Sequence, residues 1–259
     1  MRLCAIASIS ILILSCWDSR ESQAVARDAL EAAPAQKEQA HWTYEDQAHW
    51  SETSEAAKAC AIGTRQSPIE LREQALIDEP DLSFNYQSGV GAIFNNGHSI
   101  EVAAPQGQGM TTGGEVFTLM QAHFHDPSEH HLGGAAFPLE MHLVHRDAGN
   151  RLAVIGVLFR EGSENAALAR LWEAAPLERG KDNAVAAEFD ASAFLPPSRV
   201  HFEYEGSLTT PPCTEGVRWF VMRTPMEASA AQIDFLSSQI GKNARAIQSL
   251  NARTITEGE

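Results

Sequence analysis

Basic residues are in short supply in this chain. It has 19 Lys and Arg against 34 Asp and Glu among 259 residues, a formal charge of −15. That balance argues against nucleic acid and against anionic membrane surfaces as partners. No repeat, linker or low-complexity segment interrupts residues 41 to 253, so the body of the chain reads as one domain. Long apolar runs are scarce too. The one at the start, Leu3 to Leu14, is too short to span a bilayer as a helix.

That run follows Arg2, and a basic start before a short apolar stretch reads as a secretory signal over residues 1–16. Ile13-Leu14-Ser15-Cys16 is similar to a bacterial lipobox, which makes Cys16 a candidate lipid anchor. Cleavage within Ser22-Gln23-Ala24-Val25-Ala26 is the alternative and would give soluble export. Residues 17–40 are rich in Ala, Glu, Gln and Ser with no sustained apolar face, and read as a tether. The expected location is the periplasm or cell envelope.

Of four cysteines, the body keeps Cys60 and Cys213. In an oxidising compartment they suggest one disulfide closing a very long loop, with two free buried thiols as the alternative.

Strand signals dominate the body. Ile100 to Val102, Val116 to His125, Leu139 to His145, Arg151 to Phe159, Arg199 to Tyr204 and Val217 to Met222 are rich in β-branched and aromatic residues. Ala153 to Phe159 is apolar throughout, as in a strand covered on both faces. One helix is expected from Ser163, as N-cap, to Ala175. Another is expected from Ser229, with Gln232 completing a capping box, to Gly241.

The chemistry concentrates in Gln121-Ala122-His123-Phe124-His125-Asp126-Pro127-Ser128-Glu129-His130. Residues two apart in a strand share a face, so His123 and His125 can present two imidazoles to one point. In Glu140-Met141-His142-Leu143-Val144-His145, parity groups Glu140, His142 and Val144 on one face and His145 on the other. Three neutral imidazoles would leave a tetrahedral zinc one open position for water. Two other metal folds share part of this pattern. The metallo-β-lactamase spacing fails because Asp126 directly follows His125. A cupin motif fits His123 to Glu129, but its flanking glycines are missing, since Phe117 and Ala136 stand there.

From His41 to Arg253 the chain resembles the alpha carbonic anhydrases of the exported bacterial type. The resemblance is carried by His41-Trp42-Thr43-Tyr44, Gln66-Ser67-Pro68-Ile69, Asn95-Asn96-Gly97-His98-Ser99, the two histidine strands and Ala153-Val154-Ile155-Gly156. Leu195-Pro196-Pro197-Ser198-Arg199, Gly206-Ser207-Leu208-Thr209-Thr210-Pro211-Pro212-Cys213 and Asn243-Ala244-Arg245 complete it. It implies a β-dominated α+β domain over residues 41–259, with a large twisted mixed central sheet and peripheral helices. The implied activity is zinc-dependent, reversible hydration of carbon dioxide to bicarbonate and a proton.

The resemblance also assigns roles. His123, His125 and His142 are the implied zinc ligands, with Gln121 and Glu140 holding the outer nitrogens of His123 and His142. Thr209 is the implied gate, donating its one proton to Glu129 and so accepting from the attacking oxygen. Thr210 is expected to hydrogen-bond bicarbonate, and Val144, Val154, Leu208, Val217 and Trp219 to form the apolar wall for carbon dioxide. His98 is the expected proton shuttle, with His41 next in line. His130 and His145 are expected to be buried structural histidines, and His49, His131 and His201 surface or packing residues. The one candidate protein partner is a second copy of the chain, in a homodimer. The alternatives are a cupin-type metal protein and a silent carbonic-anhydrase-related binding protein. The intact ligand and gate residues argue against the second. Departures from the pattern are the short Tyr44 to Trp50 loop without Gly-Pro, Ala122 in place of Phe and Ala246 in place of Pro.

Overall fold

The computed structural model describes residues 42–72, 82–180 and 183–259. The signal, lipobox and tether, and His41, lie outside the described residues. Nine strands form the main path of the central sheet. In chain order they are β1 (Gly89–Asn95), β2 (Ile100–Ala103), β3 (Glu115–His125), β4 (Leu139–Arg146), β5 (Leu152–Glu161), β6 (Val185–Phe189), β7 (His201–Ser207), β8 (Glu215–Met222) and β9 (Thr256–Gly258). Their order across the sheet is β6-β1-β2-β3-β4-β5-β8-β7-β9. The β5–β8 pair is parallel and the β3–β4 and β4–β5 pairs antiparallel, so the sheet is mixed. Strands β1, β6 and β9 carry weaker β signals and are not expected from the sequence.

Two helices, of nine and eleven residues, pack on the sheet. One spans Ala166–Ala174. Its N-cap is Asn165 and not Ser163, because Asn165 Oδ1 accepts from the backbone N–H of Ala167 and Leu168. The Ser163 N–H instead donates to the Glu227 carboxylate. The other spans Ala230–Ile240 with the expected Ser229–Gln232 capping box, and ends at Gly241, whose positive φ of 72° suits glycine.

Alternation along β4 and β5 sorts two apolar layers. Leu139, Met141, Leu143, Ala153, Ile155, Val157 and Phe159 point to the larger core under the helices. Val154 and Leu158 point the other way, into a cluster with Val217, Trp219 and Tyr204. Strand β3 does not alternate simply. Phe117 and Leu119 face the larger core, and so do Ala122 and Phe124. The phase flips between Leu119 and Gln121, where the β3–β4 register shifts past Met120. A one-residue bulge moves every later side chain to the opposite face. Without it Gln121, His123 and His125 would point into the larger core.

Candidate metal centre

Register brings the two histidine strands together. His123 stands directly opposite His142, and His125 opposite Glu140. The ligand atoms of His123, His125 and His142 lie within 4.8 Å of one another. Each ring is held by its outer nitrogen. His123 Nδ1 meets Gln121 Oε1 at 2.8 Å, His125 Nδ1 meets the Asn243 carbonyl at 2.8 Å, and His142 Nε2 meets Glu140 Oε1 at 2.9 Å. The inner nitrogens are therefore Nε2, Nε2 and Nδ1. His125 Nε2 is buried with no hydrogen-bond partner. A buried, unanswered nitrogen is costly unless something else binds it.

Burial pushes the His123 imidazole well below its ordinary range, and the neighbouring His125 and His142 push the same way. Burial also lowers His125, against the opposing pull of Glu129. Both rings are thus neutral near pH 7 and keep a lone pair for a metal. The donor set suits zinc in number and type.

Glu140 is fully buried. It accepts from the N–H groups of Glu129 and His130 on one oxygen, and bonds the rings of His130 and His142 on the other. Burial pushes its carboxyl up, but the two histidines outweigh that and hold it well below the carboxylate range. Gly156 makes room, since a Cβ there would stand 3.0 Å from Glu140 Oε1.

Glu129 lies beside the histidines. Its Oε1 accepts from the Arg245 N–H at 2.9 Å. Its Oε2 has no hydrogen-bond partner, so the expected bond from Thr209 to that oxygen is not made. Instead Oε2 sits 3.6 Å from His125 Nε2. Thr209 is buried nearby in sequence to the Cys213 turn, which a Cys213 N–H to Thr210 carbonyl bond closes. The Cys60–Cys213 disulfide is formed, so the free-thiol alternative falls. Val154, Val217 and Trp219 share one cluster, with Val144 and Leu208 packed against it. Trp219 stands edge-on to His142, ring centres 4.8 Å apart. His98 stacks on Trp42 at 4.1 Å. His130 and His145 are fully buried, as expected.

Residues 45–259 match the family model for eukaryotic-type carbonic anhydrase. The chain belongs to the alpha carbonic anhydrase family. A carbonic anhydrase of Pectobacterium carotovorum is 41% identical over 83% of this chain and 90% of its own length. The alpha carbonic anhydrase of Thermovibrio ammonificans, solved with the inhibitor sulfanilamide, is 38% identical with a TM-score of 0.78, covering 84% of this chain and 99% of that one. A hyperthermostable carbonic anhydrase from a hydrothermal vent chimney is 40% identical with a TM-score of 0.79, covering 85% of this chain and all of its own. This carbonic anhydrase catalyses the reversible hydration of carbon dioxide, and the cupin alternative is set aside.

Two supports of the site carry no role in the sequence reading. The Asn243 carbonyl on His125 and the Arg245 N–H on Glu129 are backbone groups, which a sequence does not advertise. The Asn243-Ala244-Arg245 block was the only signal.

Proposed function

We propose that His123 Nε2, His125 Nε2 and His142 Nδ1 hold a catalytic zinc ion, with Gln121, the Asn243 carbonyl and Glu140 fixing the three rings. The observation that carries this reading is the arrangement of the nitrogens: three converge, and each outer nitrogen is already engaged. Zinc, when bound, supplies the Lewis acidity that makes a nucleophile from water near neutral pH. Glu129 keeps one buried, unpaired acceptor oxygen for the Thr209 hydroxyl. That bond is not made in this structure; on this reading it forms in the active enzyme, where Thr209, having given its only proton to Glu129, turns its oxygen lone pair to the reacting water and orients it. Val144, Val154, Leu208, Val217 and Trp219 exclude water and seat apolar carbon dioxide, and Thr210 hydrogen-bonds bicarbonate.

His98 takes the released proton and passes it to buffer. A group of pKa near ~7 that releases its proton unaided, against diffusional recombination at about 10¹⁰ M⁻¹s⁻¹, turns over no faster than ~10³ s⁻¹. Imidazole has the matching pKa for a local acceptor. The formed disulfide supports an exported protein. Under that reading residues 1–16 are the signal and residues 17–40 a tether, with Cys16 as the candidate lipid anchor.

The test is stopped-flow hydration of carbon dioxide on protein of measured zinc content, before and after chelation. About one zinc per chain, with activity lost on chelation and restored by zinc, is expected. Full activity in metal-free protein would overturn the assignment.

A further inference from the structure

The ladder between β2 and β3 stops before the His98 turn, with Glu101 opposite His123 as its last registered pair. Within itself the turn is tightly tied. Asn96 Oδ1 accepts from the N–H groups of His98 and Ser99, and Asn95 Oδ1 accepts from Gly97. Such a turn moves as a unit, so its orientation depends on the bonds that reach outside it. Ser99 Oγ donates to the Phe124 carbonyl at 2.7 Å, and the Gly180 N–H donates to the Asn95 carbonyl at 2.8 Å. A further bond, to the His98 carbonyl, comes from the far end of the chain. Asn243 Nδ2 donates to the His98 carbonyl at 2.8 Å and to the Phe124 carbonyl at 2.9 Å. Asn243 Oδ1 accepts from the Asp126 N–H at 2.7 Å. Asn243 is fully buried.

We infer that the Asn243 side chain is a positioning residue for proton transfer, fastening the His98 turn to the strand end that carries His125. The inference rests on the reading of His98 as the shuttle. Only a primary amide offers two N–H donors on one atom and an acceptor beside it, which is what two carbonyls and one N–H on separate segments require. Removing the amide leaves the ladder pairs of His123 and the two Ser99–Phe124 bonds intact but loosens the His98 carbonyl end of the turn. Proton transfer depends steeply on that geometry, whereas the hydration step does not use it.

The experiment compares zinc-loaded wild type, Asn243→Ala, His98→Ala and the double variant, with Asn243→Ser as the milder change should the alanine variant fold poorly. In dilute buffer Asn243→Ala should lower kcat by about fivefold more than it lowers kcat/KM, with added imidazole restoring the difference. Adding Asn243→Ala to His98→Ala should lower kcat no further. Independently of activity, the His98 and Ser99 amides should exchange hydrogen about tenfold faster in the Asn243 variants while those of β3 stay protected. An unchanged kcat overturns the inference, as does a further loss in the double variant. So does a parallel fall of kcat and kcat/KM with weaker zinc binding, which would make Asn243 a support of His125 alone. His98→Ala at full turnover in dilute buffer would instead overturn the shuttle reading, an outcome distinct from any of these.

Discussion

Two histidine groups lie side by side under the sheet and share one member. His123, His125 and His142 form one, and His130, Glu140 and His142 the other, each with its ligand atoms within 4.8 Å of one another. In the second group every polar atom is answered within the protein. His130 Nδ1 meets Glu140 Oε1 at 2.7 Å, and His130 Nε2 meets the Tyr204 hydroxyl at 2.7 Å, which in turn donates to Ser67. In the first group His125 Nε2 has no hydrogen-bond partner, and His142 Nδ1 and His123 Nε2 meet only each other, at 3.3 Å. Proximity is alike in both, and burial differs only in the half-buried His123, so neither by itself separates a structural cluster from a metal site. What separates them is which donors and acceptors remain open.

The largest effect should come from the shared residue. His142→Ala should leave a folded chain whose zinc affinity falls by orders of magnitude and whose hydration activity is nearly lost, because a three-ligand open site cannot spare one. Zinc titration and stopped-flow kinetics read both. Full activity would remove His142 from the ligand set and point to His130, erasing the contrast between the two groups.

The disulfide joins Cys60 to the turn that follows Thr209-Thr210. Cys213 follows the Thr209-Thr210 turn, and Arg245 donates to both the Cys60 carbonyl and, through its N–H, Glu129. Replacing both cysteines by serine frees a loop of 153 residues, which in the chain-entropy picture costs about 5 kcal/mol of stability. Urea midpoints of the two proteins measure it. A loss under about 1 kcal/mol would show that native contacts already do the work of the link.

The closed group should respond in stability. His130→Ala removes the bridge between Glu140 and Tyr204 and leaves a cavity, at a cost of about 3 kcal/mol. Equilibrium unfolding of the chelated protein isolates this from zinc. A variant that kept its stability but lost zinc would reverse the roles of the two groups.

A third buried histidine sharpens the contrast through pH. His145 lies on the other face of β4, its Nε2 bonded to the Tyr86 hydroxyl at 2.7 Å, and burial pushes its pKa down to about 4 from the ordinary 6.5. The unfolded chain takes this proton near pH 6.5 and the folded one only near pH 4, so between them the unfolded state binds more protons. The contribution is present above pH 6.5 and is lost as pH falls towards 4, by ~3 kcal/mol in full. His145→Gln should flatten the pH dependence of the urea midpoint by a comparable amount. Equal slopes in both proteins would show that His145 is not held neutral.

Much of this was legible in the chain. His-x-His on one strand, Glu-x-His on another and the capping box at Ser229 follow from periodicity and short-range hydrogen bonding, and each forms as expected. The Ser163 cap was misread because two candidate caps lie two residues apart. Asn165 prevails because the Glu227 carboxylate, 64 residues from Ser163, engages the Ser163 N–H. Strand β1 went unread because Gly89, Gly91 and Asn95 dilute its β signal. It forms because β2 and β6 pair with it on both edges.

By itself the sequence determined which strands carry the imidazoles, which residue caps the last helix and, through its blocks, the family. Those are properties of neighbours along the chain and of residue order. Only the tertiary structure decided which face the imidazoles take and which nitrogen of each ring points inward. The first hangs on a bulge at Met120 that no residue type announces. The second hangs on partners such as the Asn243 carbonyl, 118 positions from the ring it holds. A backbone carbonyl is the same on every residue, so its position in space, and not its identity, makes it part of the site.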